Sequence, residues 1–400
     1  MSKYPREASK THAIRHANRI ARFLGEGSFF MEKSSFHRVH AFSITDAENK
    51  AKGKSKCLFV FFCVMLLGML CGCESFRNVD AGRQEEKVSL TDVCMGTVVS
   101  FTLYPENGSD KSGAELLARS LLQEVRSLEE TTLSRKLETS EVYQINQSAG
   151  EKQGHPLSVQ LEDLLLRCQQ ISEDSGGAFD VTIGPLAALW RMDERAAGEE
   201  INMLPSEEEI KTAMACCGAS KAMLQDGRIT LQEGAMLDLG SVGKGEALDL
   251  LAKALEGQGV AGVFSLGGSI LTYGDKPDGM PWKVGIANPE HPDQTLGTLT
   301  LTGQWCVSTS GDYERYFMFE GERYHHLLDP ATGYPARSGL RGVTILSESG
   351  FLSDALSTAC FVLGKEKGMA LAEKWQAGIL TVDDEGEIVM NEKMRAFFSP

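Results

Sequence analysis

"KAMLQDGRITLQEGAMLDLGSVGKGEALDLLAKALEGQG", Lys221 to Gly259, carries the pattern that decides the fold. Two short β-type runs meet at Asp226-Gly227, a dipeptide suited to the positive φ angles of a tight hairpin turn. The following run, "AMLDLG", reads as a further strand. It bends at Gly240, Gly243 and Gly245, after which "EALDLLAKAL" places apolar residues at helical spacing. Strands paired by hairpins and interrupted by helices predict an α+β fold with a largely antiparallel sheet. The flanking sequence repeats the theme. "KVSLTDVCMGTVVSFTLYP" reads as a strand pair, and "GAELLARSLLQEVRSLEE" and "LSVQLEDLLLRCQQISEDSGG" as helices, the second closing on a glycine pair. "PSEEEIKTAMACCG" opens with Ser206 three residues before Glu209, a capping box. Residues 260 to 310 alternate β-type runs with turns, and "GFLSDALSTACFVLGKEKGMALAEKW" is helical before a closing hairpin around "DDEGE". With no repeat and no second linker, residues 87–400 read as one unit.

The chain's 400 residues, 42% of them hydrophobic, suffice for a large core. Of its 40 Lys/Arg and 55 Asp/Glu, residues 1–56 hold 12 and 5, leaving an acidic body of 28 against 50. Such a body argues against non-specific nucleic-acid binding. The basic head leads into "CLFVFFCVMLLGMLCGC", residues 57–73, with the basic flank, apolar centre and small-residue exit of a secretory signal. Leu70-Cys71-Gly72-Cys73 resembles the bacterial lipobox, whose final cysteine is acylated. A plain membrane anchor is the alternative. Both put the body on the extracytoplasmic side of a cell membrane, with a lipid anchor at Cys73 in the first case. Residues 1–73 are read as an N-terminal extension and lipoprotein signal, with a translation start downstream of Met1, Met31 being one candidate, and residues 74–86 as a polar tether. Four of the ten cysteines belong to the export segment. The other six lack CxxC spacing and read as small buried hydrophobes, with no zinc site.

Six segments have residues that chemistry needs. In "LDLGSVGKGEALD", Leu237–Asp249, a glycine-rich turn opening a helix offers backbone N–H groups and Lys244 to a phosphate. It lacks the GxxxxGK pattern of a P-loop and the GxGxxG of a dinucleotide fingerprint, and a plain strand-to-helix turn reads the same. In "SDALSTA", Ser353–Ala359, Asp354 and Thr358 stand one helical turn apart beside Ser357. These oxygen donors suit Mg2+, although Ser or Asp before a helical run is also an ordinary N-cap. "SGGAFDVTIGPLAALW", Ser175–Trp190, lets backbone approach a flat ring with Asp180 as acceptor, or is a helix end before a buried strand. "FSLGGSILTYG" and "VSTSGDYERYF" put small residues at strand ends, suited to a ligand or to bulges. "HHLLDPATGYPARSG", His325–Gly339, is a shaped loop by its prolines and glycines, carrying two histidines or merely exposing them.

Taken in order, "MGT" (Met95–Thr97), "GGAFDVTIGPLAALW", "LDLGSVGKGEALD", "SLGG", "STSGDYERYF", "HHLLDPATGYPA" and "SDALSTA" resemble the ApbE family of FAD:protein FMN transferases, from about Met95 to Leu371. The resemblance implies an α+β domain that holds FAD in a cleft. It implies an Mg2+-dependent enzyme that cleaves FAD and attaches FMN through a phosphoester to a Ser/Thr of an exported acceptor protein bearing a D-x-x-S/T-G-A-T segment. It implies that Met95, Ala178, Phe179, Asp180, Asp238 and Lys244 contact FAD, and that Ser241, Asp354, Thr358 and, more weakly, Ser357 hold Mg2+. His326 is then the base, with Asp329 orienting it or the loop and His325 facing away, since consecutive strand residues point oppositely. An Mg2+-dependent FAD pyrophosphatase releasing FMN and AMP, or a non-catalytic FAD-binding lipoprotein, would share these motifs. Two features depart from the family pattern. Glu246 stands where a Tyr is common, which implies altered ligand affinity, and Ser265 and Ser269 stand where Asn is common.

Overall fold

The computed structural model describes residues 87–105, 111–196, 198, 203–291 and 293–400. The expected signal, lipobox and tether lie outside them. In chain order the first elements are β1 (Val88–Cys94), β2 (Thr97–Pro105), α1 (Lys111–Leu128), α2 (Glu141–Gln147), β3 (His155–Pro156), α3 (Val159–Asp174), α4 (Gly184–Trp190), α5 (Met192–Ala196) and α6 (Glu207–Met214). There follow β4 (Ala222–Gln225), β5 (Arg228–Leu231), α7 (Gly243–Ala254), β6 (Val260–Leu266), β7 (Ser269–Tyr273), β8 (Trp282–Ala287), β9 (Thr295–Leu301), β10 (Trp305–Gly311), β11 (Tyr316–Phe319) and β12 (Glu322–His325). The last are β13 (Leu340–Ser347), α8 (Gly350–Leu363), α9 (Lys365–Lys374), β14 (Gly378–Asp383), β15 (Ile388–Met390), α10 (Glu392–Arg395) and β16 (Phe398–Ser399).

An eight-stranded sheet, ordered β1-β2-β6-β7-β10-β13-β14-β15, has every neighbouring pair antiparallel, so the fold is α+β. Its first hairpin turns at Met95-Gly96, where φ angles of 52° and 68° fit a type I′ turn. Phe101, Phe264, Val343, Ile345 and Ile379 project from one face into a core shared with Leu121 of α1, Leu164 of α3, Leu248 of α7 and Leu356 of α8. From the other face Val307, Leu346 and Leu380 meet Val284, Ile286 and Leu299 of a small sheet ordered β16-β9-β8. Both faces being covered, a central strand such as β13 is buried almost throughout.

The Asp226-Gly227 hairpin forms between β4 and β5. "AMLDLG" is not a strand. It is extended and buries Ala235, Leu237 and Leu239, but its polar groups are taken by the Asn146 side-chain amide, by Val181 O and by Gly184 N. The apolar half of "SGGAFDVTIGPLAALW" is likewise not a buried strand but α4, started by Pro185 in its first turn.

Two contacts fix where α7 and α8 cross, and the site depends on both. Asp249 of α7 accepts hydrogen bonds from Gly350 N, Phe351 N and Ser349 Oγ, capping α8 from a neighbouring helix. Gly245 and Gly350 lie back to back, and a Cβ on Gly245 would collide with Gly350 O and come within 2.7 Å of Asp354 Cβ. Gly245→Ala is therefore expected to cost about 1–3 kcal/mol by overpacking and to displace the Asp354 carboxylate. Thermal melting alongside transfer activity checks this, and a variant melting at the wild-type temperature contradicts it.

Candidate functional site

One cleft collects the residues that the sequence scatters. The turn entering α7 contributes Asp238, Gly240, Ser241 and Lys244, and α8 contributes Asp354 and Thr358. The end of β10 and the loop after it supply Thr309, Ser310, Glu314 and Arg315, and the loop after β12 supplies His326, Leu327, Leu328 and Pro330. Ala178, Phe179 and Asp180 close one side, with Asp193 of α5 and Arg135 at the rim.

Asp354 is only 3% exposed, and its two oxygens are held apart by different partners. Oδ2 accepts from Gly245 N at 2.9 Å, while Oδ1 takes the Ser269 hydroxyl at 3.3 Å and stands 3.4 Å from Lys244 Nζ. A pair of buried hydroxyl contacts sets the register of α8 against the sheet: Ser308 Oγ to Ser353 Oγ and Ser310 Oγ to Ser357 Oγ, each 2.7 Å. Ser357 is thus turned away from the cleft. It also donates to Asp354 O at 2.8 Å, so it is a packing residue, and the expected metal role for it is corrected. Thr358, one turn beyond Asp354, does line the cleft.

Asp238 is shared between Arg135 Nε (2.6 Å) and Gly240 N (2.9 Å), and Asp180 Oδ1 receives the N–H and hydroxyl of Thr182. Of the residues expected to contact FAD, Met95 is the exception. As the first residue of the I′ turn it donates its N–H to Glu129 Oε2 (2.8 Å), and its side chain packs against the main core, outside the cleft lining. Glu246 points to Arg167 of α3, 2.9 Å away, so its difference from a Tyr falls outside the cleft lining.

The loop after β12 is tied at several points. Ala336 N donates to Leu327 O, Trp190 Nε1 donates to Gly333 O at 2.8 Å, and His325 Nε2 donates to Ala336 O at 3.0 Å. Asp329 accepts from Ala331 N and the Thr332 hydroxyl, so it shapes the loop rather than orienting His326. His325 is buried with its ring edge on Phe361. His326 lines the cleft, and Arg315 O accepts both its backbone N–H (3.0 Å) and its Nδ1–H (3.3 Å), which leaves the lone pair on Nε2. Burial, with the Arg315 charge, neighbouring His325 and the Lys244 charge, keeps this imidazole well below its ordinary 6.5. Burial likewise lowers His325, whose Nδ1 has no partner.

Both histidines bind protons less readily folded than unfolded, so stability present above pH 6.5 is lost as pH falls below it. The expected slope is about 1.4 kcal/mol per pH unit for each histidine. Melting temperatures from about pH 7.5 down to about pH 5.5 check this, and His325→Phe should flatten the curve.

The sequence reading missed Arg135, Asp193, Glu314 and Arg315. Glu314 and Arg315 lie inside the quoted "VSTSGDYERYF", and their charge at a strand end was the available signal. Arg135 and Asp193 sit in segments without a motif.

A family model described as the ApbE family matches residues 95–381. The FAD:protein FMN transferase of Treponema pallidum (strain Nichols) is 33% identical over 345 residues, covering 80% of this chain and 90% of that protein. That of Klebsiella pneumoniae (strain 342) is 32% identical over 320 residues, covering 78% and 94%. The crystal structure of the ApbE protein from Thermotoga maritima superposes with a TM-score of 0.71 at 33% identity, covering 79% of this chain and all of that one.

Proposed function

The chain belongs to the ApbE family, and on that premise we propose that it is an FAD:protein FMN transferase acting on exported proteins. The observation that carries this reading is the meeting, in one cleft, of a neutral imidazole at His326 with the oxygen donors Asp354 and Thr358 and the cation of Lys244. The acceptor's Ser or Thr hydroxyl attacks the FMN-side phosphorus of FAD and gives its proton to His326 Nε2. The new O–P bond replaces the pyrophosphate P–O bond, and AMP leaves. Lys244 and the N–H groups of the turn entering α7 oppose phosphate charge, while Asp238 and Asp180 present carboxylate oxygens to donors on the nucleotide or flavin.

Mg2+ fits the donor set. Lys244 Nζ lies beside Asp354 Oδ1, which supports that oxygen as a cation-facing group, and the remaining groups, Thr358 and Ser241, offer hydroxyls. Asp354, Thr358 and Ser241 would hold the ion, whose chemistry is neutralisation of pyrophosphate charge. The apolar run at residues 57–73, ending in Cys73, supports a lipid-anchored, extracytoplasmic address; among the described residues no helix is long and apolar enough to cross a membrane.

The test is incubation of the protein with FAD, Mg2+ and an acceptor carrying a D-x-x-S/T-G-A-T segment. Flavin fluorescence on the acceptor in a denaturing gel supports transfer. AMP without a fluorescent acceptor supports the pyrophosphatase alternative, and bound FAD without AMP supports a binding protein.

A further inference from the structure

Three side-chain cations line the cleft among the described residues, and they differ in how firmly they are held. Arg135 lies 2.6 Å from Asp238, with both side chains about a fifth exposed, at 21% and 18%. Lys244 is bound to the buried carboxylate of Asp354. Arg315 pairs with Asp193 at 3.1 Å, but these side chains are 43% and 44% exposed, so water screens this pair more than the other two.

Asp193 has a second partner, Lys136 Nζ at 2.8 Å. If Arg315 leaves, Asp193 is not stranded, so the exchange is cheap. Arg315 is also fixed where it matters, because its carbonyl oxygen takes both N–H groups of His326. Its guanidinium therefore swings from a backbone anchored to the base. The cleft needs that charge. The incoming pyrophosphate is anionic, and of the other two cations Lys244 is already paired with Asp354 and Arg135 with Asp238.

We propose that Arg315 is a phosphate-binding residue held in reserve on Asp193, and that the pyrophosphate of the substrate takes it over on entry. A guanidinium fork matches two phosphate oxygens where an ammonium offers a point charge. Asp193 is then an internal anion that competes with the substrate, and Lys136 holds Asp193 once Arg315 has left. The inference rests on the reading of FAD as substrate.

The experiment measures dissociation constants for FAD and riboflavin by flavin fluorescence and for ADP by calorimetry, without acceptor, on the whole chain. Arg315→Gln should weaken FAD and ADP by roughly tenfold or more and leave riboflavin, which has no phosphate, unchanged. Asp193→Asn should tighten FAD and ADP, and the double variant should bind like Arg315→Gln. Arg315→Lys, which keeps the charge and loses the fork, should fall between wild type and Arg315→Gln, and it serves if the Gln variant does not fold. The proposal is overturned if Arg315→Gln binds FAD like wild type, if riboflavin loses as much as FAD, or if Asp193→Asn weakens FAD. A folded wild type that binds no FAD overturns the substrate reading as well, so the two failures are distinguishable.

Discussion

Replacing His326 by Gln is expected to lower the rate of flavin transfer by about 10²- to 10⁴-fold, the usual contribution of a positioned general base, with FAD affinity close to wild type. Gln keeps a polar side chain of similar reach but has no basic nitrogen. The structure supports the split between rate and binding. His326 is held through its own backbone and Nδ1 by Arg315 O, so the ring is positioned without a substrate. Burial, with Arg315, His325 and Lys244 nearby, keeps it neutral well below pH 6.5. The acid limb of the wild-type pH profile is accordingly expected below 6.5, and the Gln variant should lack it. Single-turnover transfer to the acceptor, with FAD binding measured separately, distinguishes the cases. Wild-type transfer by His326→Gln removes the base assignment.

Asp354→Asn is expected to cost at least about 10³-fold in transfer, because it removes the one carboxylate that the cleft offers to a cation on α8. The substitution is nearly isosteric. Its amide oxygen still accepts from Gly245 N, so the α7–α8 crossing survives and a loss of activity is not a loss of fold. Lys244 would lose its counter-charge at 3.4 Å and become free to bind phosphate, so FAD affinity should hold or rise while turnover falls. Titrating Mg2+ against activity checks the assignment. An Asp354→Asn enzyme with the wild-type rate and Mg2+ dependence would refute it.

Much of the fold was legible because antiparallel hairpins are local. Asp226-Gly227 announces its turn through residues that tolerate positive φ, the strand pair around Met95-Gly96 forms as read, and so does the capping box at Ser206 and Glu209. "AMLDLG" misled because alternation reports which side chains are buried, not which groups accept the backbone hydrogen bonds. Here an asparagine 91 positions away does so. The site was legible where a motif carries its own geometry, as with Asp354 and Thr358 one helical turn apart. It was not legible where neighbours decide. Ser357 lies in the same motif as Asp354, yet Ser310, 47 positions away, draws it into the interface with the sheet. Asp329 sits three residues after His326, yet its own loop consumes both of its oxygens. Met95 is set by the turn it starts, and Glu246 by Arg167 on another helix.

The stoichiometry of AMP release tests the central claim most directly. Intact-mass measurement of an acceptor protein after reaction with FAD, Mg2+ and this protein should show one FMN added for each AMP formed, with no addition when the acceptor's Ser/Thr is replaced by Ala. AMP accumulating while the acceptor's mass stays unchanged would contradict the account.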